Sequence, residues 1–169
     1  MTIAHEPVDG WTEPGAAERL ELIQRTETVA MVGVSANPAR PSNFVATYLL
    51  SSSTDFDVYF VNPVVDEILG QPCYPSLADL PVVPDLVDVF RRPADLPGVA
   101  SEAINIGAQA FWVQLGLWSP EAAKLAHDAG LDVVMDRCLK IEHARFHGGL
   151  HLAGFDTGVV DSRRTARKA

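Results

Sequence analysis

The sequence predicts an α/β fold: a doubly wound, five-stranded parallel sheet in three α/β/α layers, with strand order 3-2-1-4-5. Three observations lead there. Short runs of apolar and β-branched residues recur at Thr28–Val34 (TVAMVGV), Val58–Val61, Leu86–Phe90, Ala110–Leu115 and Leu131–Met135. They are nearly continuous rather than alternating, as expected of strands covered on both faces. Stretches of helical character with matching start and stop signals separate most of them, and strands alternating with helices at this spacing form right-handed parallel crossovers.

Taken in order, a first helix starts near Pro14 and runs to Arg25, with Leu20 and Ile23 on one face. The first strand follows. Asn43–Ser51 is helical behind Pro41-Ser42, Leu96–Ile106 behind Asp95, and Pro120–Ala129 between Ser119 and Gly130. Pro is pre-organised for a first helical turn, Ser and Asp cap free N–H groups, and Gly accepts the left-handed conformation that ends a helix. Pro75–Leu80 supplies only a turn of helix. Residues 1–13 are expected as a flexible leader, 14–146 as the domain and 147–169 as a Gly-rich, basic extension.

Composition narrows the function. A chain of 169 residues, 47% hydrophobic and 21% charged, suits one ordinary globular domain. No apolar run reaches the roughly 18 residues of a membrane span, and the first 27 residues lack a signal-peptide core, so the expected location is the cytoplasm. Two cysteines, Cys73 and Cys138, are too few for a disulfide framework. The net charge of −9 argues against nucleic acid or an acidic membrane as partner. Its distribution is uneven. Residues 1–136 carry six Lys/Arg against nineteen Asp/Glu, whereas 137–169 carry seven against three.

In an open α/β sheet, ligands bind beyond the carboxyl ends of the strands, where strand order reverses. That selects five loops. In the first, Gly33 and Val34 bring backbone close to a ligand, Ser35 and Asn37 offer polar side chains, and Arg40, Pro41 and Ser42 open a helix whose free N–H groups favour phosphate. It is not a G-x-G-x-x-G loop. The second is Asn62-Pro63, where an NAD-binding protein usually carries an acid for the ribose diol; a ribose phosphate, as in coenzyme A or NADP, is tolerated by Asn. The third holds Arg91 and Arg92, the fourth Gln114 and Gly116 with Trp118 as a stacking surface, and the fifth Arg137, Cys138 and Lys140. Five cations of an acidic chain (Arg40, Arg91, Arg92, Arg137 and Lys140) thus gather at one edge, as a polyanionic ligand requires.

Several strings carry a likeness: Val32-Gly33-Val34-Ser35 with Arg40-Pro41-Ser42, Val61-Asn62-Pro63, Cys73-Tyr74-Pro75-Ser76-Leu77, Asp85–Arg92, Trp112–Gly116 and Met135–His143. In this order over about residues 16–145 they resemble the stand-alone CoA-binding domain proteins, which are similar to the CoA-binding domain of the succinyl-CoA synthetase alpha subunit. The resemblance implies a Rossmann-like fold and coenzyme A or an acyl-CoA as ligand, gripped by the loops just named. It implies no activity, because the chain is too short for the second domain on which the synthetases carry their phosphorylated histidine.

Three functions stay open: a non-catalytic CoA-binding, sensor or accessory protein; an acyl-CoA-dependent enzyme using Cys138 or His143; and an NAD(P)-binding oxidoreductase or redox sensor. Near Arg137 and Lys140 the Cys138 thiol is expected to have a lowered pKa, which suits a mixed disulfide or acyl transfer; its bland role is packing. His143, His147 and His151 share one face if helical, but Gly148-Gly149 interrupts it, and no metal is expected. The tail is a candidate surface for a homodimer or protein partner.

Overall fold

The computed structural model describes residues 4–147 and, beyond them, the two-residue strands Ala153–Gly154 and Gly158–Val159. Helix α1 (Ala16–Arg25) leads into β1 (Thr28–Val32), α2 (Pro41–Leu49) and β2 (Asp57–Val61). A short hairpin, β3 (Glu67–Ile68) and β4 (Gln71–Tyr74), precedes β5 (Leu86–Val89), α3 (Leu96–Ile106), β6 (Ala110–Val113), α4 (Pro120–Asp128), β7 (Asp132–Val134) and α5 (Leu139–His147). The main sheet has seven strands in the order β3-β4-β2-β1-β5-β6-β7. Every pairing in it is parallel except that of β3 with β4.

The expected order 3-2-1-4-5 is corrected. Leu86–Val89, placed outside β2 by that order, instead pairs with β1, so that Met31 lies opposite Phe60 on one side and Asp88 on the other. The outer flank of β2 is taken by β4, with Phe60 opposite Cys73. Ala110–Val113 consequently lies beside β5 and not beside β1. The five foreseen strands run 2-1-3-4-5 among themselves, with the hairpin added at the β2 edge.

Apolar runs become central strands because helices cover both sheet faces. On one face Leu22, Met31, Leu49, Phe60, Trp112 and Leu139 join the sheet to α1, α2 and α5. On the other, Val87, Phe111 and Val113 meet Ala100 and Val99 of α3 and Ala122 and Ala123 of α4. Helix α5 was not foreseen; its anchors are long-range. Arg19 Nε donates to Glu142 Oε1 at 2.6 Å with both side chains buried, and Tyr48 Oη meets His143 Nδ1 at 2.8 Å.

Residues 5–13, expected as a leader, lie against the domain. Val8 is buried, Trp11 Nε1 donates to the Val133 carbonyl at 3.2 Å, and Glu13 Oε1 accepts from Met135 N at 3.2 Å. His5 stacks on Trp118 with ring centroids 4.0 Å apart, while Trp118 Nε1 donates to the Glu6 carbonyl. Two large aromatic side chains supply the apolar area that holds this segment in place. Most of the basic extension lies outside the described residues. Among the described residues, no helix is long and apolar enough to cross a membrane.

Candidate functional site

The carboxyl ends of β1, β5, β6 and β7 surround a cavity of about 520 Å³, within the usual range for small-molecule sites. It sits where β1 and β5 part, the point at which connections leave the sheet in opposite directions. Gly33, Ser35, Arg40, Pro41, Ser42, Arg91, Arg92, Gln114 and Cys138 line it, together with Val45, Phe90, Pro93, Leu115 and Leu117.

Gly33 is required by close approach. It has φ +89°, its N–H donates to the Val61 carbonyl at 3.0 Å, and a Cβ built on it falls 2.7 Å from the Phe90 carbonyl oxygen. The loop behind it braces itself. Ser35 N donates to Ser42 Oγ at 2.9 Å, Asn43 Nδ2 to the Ser35 carbonyl at 2.9 Å, and Ala39 N to Asn37 Oδ1 at 2.9 Å. This bracing fixes the start of α2 at the cavity wall, where the positive end of the helix favours an anion.

The cations divide into two sets. Arg40 is exposed at the mouth and, among the described residues, joins no ion pair. Arg91 Nη2 and Arg92 Nε both reach Asp95 Oδ2, at 3.1 and 3.2 Å, and the two guanidiniums, Arg92 foremost, hold the Asp95 carboxyl below its ordinary range. Arg137 faces away, 3.6 Å from Glu13, and Lys140 lies over the Tyr48 ring at 5.9 Å. Neither lines the cavity.

Other sequence candidates are placed elsewhere. Asn62 spends its amide on backbone, donating to the Val34 carbonyl at 2.9 Å and accepting from Val64 N at 2.8 Å, while Pro63 is exposed beside it. Val34 is buried in the core, and Asn37 is turned into its own loop. Gly116 N donates to Asp136 Oδ1 at 2.6 Å, and the other Asp136 oxygen meets His5 Nε2 at 2.7 Å. This carboxylate, on a residue with φ +58°, ties the loop after β6 to the N-terminal segment. Trp118 stacks on His5 and so is not a free ligand platform.

The expected lowering of the Cys138 pKa is corrected. Burial pushes the thiol up, and the nearby Asp88 carboxyl adds to this. The backbone N–H groups of Ile141 and Lys140, and then the Lys140 charge, oppose the rise but offset it only in part. His143 is buried between Tyr48 and Phe56, away from the cavity. Among the described residues, no three His, Cys, Asp or Glu side chains form a metal cluster; His151 and the His147 side chain lie outside them.

Sequence reasoning missed the apolar wall of Val45, Phe90, Pro93, Leu115 and Leu117. Phe90, Pro93, Leu115 and Leu117 each flank a candidate residue in sequence, and Val45 lies about one helical turn after Ser42. It also missed Asp88, a fully buried acid in the middle of β5 whose Oδ1 accepts from Gln114 Nε2 at 2.5 Å. Burial raises its pKa to about 8, which favours the neutral carboxyl below that pH.

The model of a family described as a CoA binding domain matches residues 27–144. The chain belongs to that CoA-binding domain family. Members resembling it include the uncharacterised protein YneT of Bacillus subtilis, 39% identical over 131 residues, covering 78% of this chain and 96% of that one. A hypothetical protein from Pyrococcus horikoshii OT3 has 38% identity and a TM-score of 0.75, covering 87% of this chain and 100% of the other. An ADP-forming acetate–CoA ligase of Archaeoglobus fulgidus is 27% identical over 130 residues. That match takes in 71% of this CoA-binding domain chain but only 19% of the ligase.

Proposed function

We propose that the cavity binds coenzyme A or an acyl form of it, and that the chain acts as a binding, sensor or accessory protein. The observation that carries this reading is the cavity itself. Arg40, which joins no ion pair among the described residues, stands at its mouth beside the start of α2, and the lining combines apolar side chains with Gln114 and Cys138. Phosphate and a flexible, mostly apolar arm are the two halves of such a ligand. Arg40 meets the phosphates through charge-assisted bonds at the positive end of α2, the hydroxyls of Ser35 and Ser42 add donors, and Arg91 and Arg92 enlarge the positive rim. Val45, Phe90, Leu115 and Leu117 exclude water from the arm.

Within this reading catalysis has little support. The raised pKa of Cys138 disfavours the thiolate, and His143 is not among the residues that line the cavity. The ligand is tested by titrating coenzyme A, acetyl-CoA, NAD and NADP while following tryptophan fluorescence and melting temperature. Coenzyme A at a hundred times its Kd is expected to stabilise the fold by about 3 kcal/mol. Arg40→Ala weakens that binding by about 2 kcal/mol. Stabilisation by NAD but not by coenzyme A overturns the reading.

A further inference from the structure

Besides Ser42, whose hydroxyl accepts from Ser35 N, the buried polar residue in the cavity lining is Gln114. This residue is almost wholly buried, and its Nε2 is committed to Asp88 Oδ1 at 2.5 Å. No donor among the described residues reaches its Oε1. Asp88 Oδ2 is the sealed side-chain polar atom that lacks a partner among those residues, so the equally unpartnered Oε1 is not sealed and keeps access to the cavity. An amide has two ends of nearly equal size and turns over unless something distinguishes them. Asp88 is that something. It is fixed in the centre of the sheet between Met31 of β1 and Trp112 of β6, and its Oδ1 accepts from the nitrogen end.

We propose that Gln114 Oε1, oriented by Asp88, is the acceptor for a secondary-amide N–H on the ligand's arm, which makes Gln114 a specificity-determining residue and Asp88 a positioning residue. The inference rests on the proposed coenzyme A reading and deepens it. The ligand carries two such amides between its phosphates and its thiol, and an apolar cavity with one fixed acceptor selects an arm that brings an N–H to that point. A ligand lacking the N–H leaves Oε1 unpaired away from water, which costs more than a missing contact. A buried acid kept between three strands at the expense of its own solvation also acquires a purpose.

The experiment measures affinity for coenzyme A and for two analogues, each with one arm amide N–H replaced by an ester oxygen. The proteins are wild type, Gln114→Leu, Asp88→Asn and Asp88→Leu, each checked for folding by circular dichroism and thermal melting. Wild type is expected to bind one ester analogue roughly three- to tenfold more weakly than coenzyme A, and Gln114→Leu to bind both alike. Asp88→Asn offers the amide both an acceptor and a donor and is expected to weaken the discrimination, whereas Asp88→Leu loses it. A merely structural role for Asp88 would move the melting temperature and leave this ratio unchanged. Equal affinity of wild type for coenzyme A and both analogues overturns the inference while leaving the coenzyme A reading standing. If Asp88→Leu fails to fold, the Asp88→Asn and Gln114→Leu ratios still decide the matter. No binding of coenzyme A to wild type overturns both.

Discussion

Alanine at position 33 is expected to cost about 3 kcal/mol of stability and to abolish ligand binding at the cavity. Two penalties combine. At φ +89° an L side chain is strained by roughly 1–3 kcal/mol. The added Cβ also lies 2.7 Å from the Phe90 carbonyl oxygen and 2.8 Å from Arg91 Cδ, distances at which something must move. The atom in its way is strand-end backbone rather than the tip of a flexible side chain. The relief available is therefore to separate β1 from β5, the pair between whose ends the cavity opens. Urea denaturation and coenzyme A titration of Gly33→Ala check this. A variant as stable as wild type with unchanged affinity would show that the two strand ends do not depend on this approach.

The second large effect follows from Asp88. Its pKa is about 8 in the folded chain because burial disfavours the anion; the Gln114 hydrogen bond opposes this only in part. In the unfolded chain an Asp titrates near 3.9. Below about pH 4 both states are protonated and the acid costs nothing through ionisation. As pH rises from 4 to 8 the unfolded state releases a proton that the folded state keeps, so stability falls by about 1.4 kcal/mol per pH unit. Above pH 8 the loss levels off. Asp88→Asn preserves shape and an acceptor for Gln114 but does not titrate. Between pH 5 and pH 7 wild type should therefore lose about 3 kcal/mol relative to the variant. Denaturation of both proteins at the two pH values measures it, and parallel pH profiles would show that Asp88 is ionised in the fold.

Both effects involve residues whose meaning differs between chain and fold. Gly33 reads from the sequence as a place where backbone approaches a ligand, and in the structure it is first a place where backbone approaches the Phe90 carbonyl. Asp88 reads as one charged letter in Leu86–Phe90, an otherwise apolar run. Only the sheet shows that it is central, covered on both sides and turned toward Gln114. Similarly, Asn62 reads as a ribose contact until its amide is seen to be spent on Val34 and Val64.

The central strands and the helices capped by Pro, Ser and Gly were determined by local sequence, because burial on both faces imposes continuous apolar runs and caps satisfy backbone within a few residues. The concentration of cations in strand-end loops was legible for the same reason, as a matter of position along the chain. Strand order was not. Gln71–Tyr74 contains a proline, is short and partly exposed, and becomes a strand through its pairings with β2 and β3. Without it, β5 was assigned to the wrong side of β1. Helix α5 likewise depends on Arg19 and Tyr48, which lie 123 and 95 residues from their partners. Which of the collected cations face the cavity, and which are drawn off by Glu13 or laid on Tyr48, was also decided by the tertiary structure. Side-chain direction at a loop is set by whatever distant group stands nearest, and local sequence does not record that.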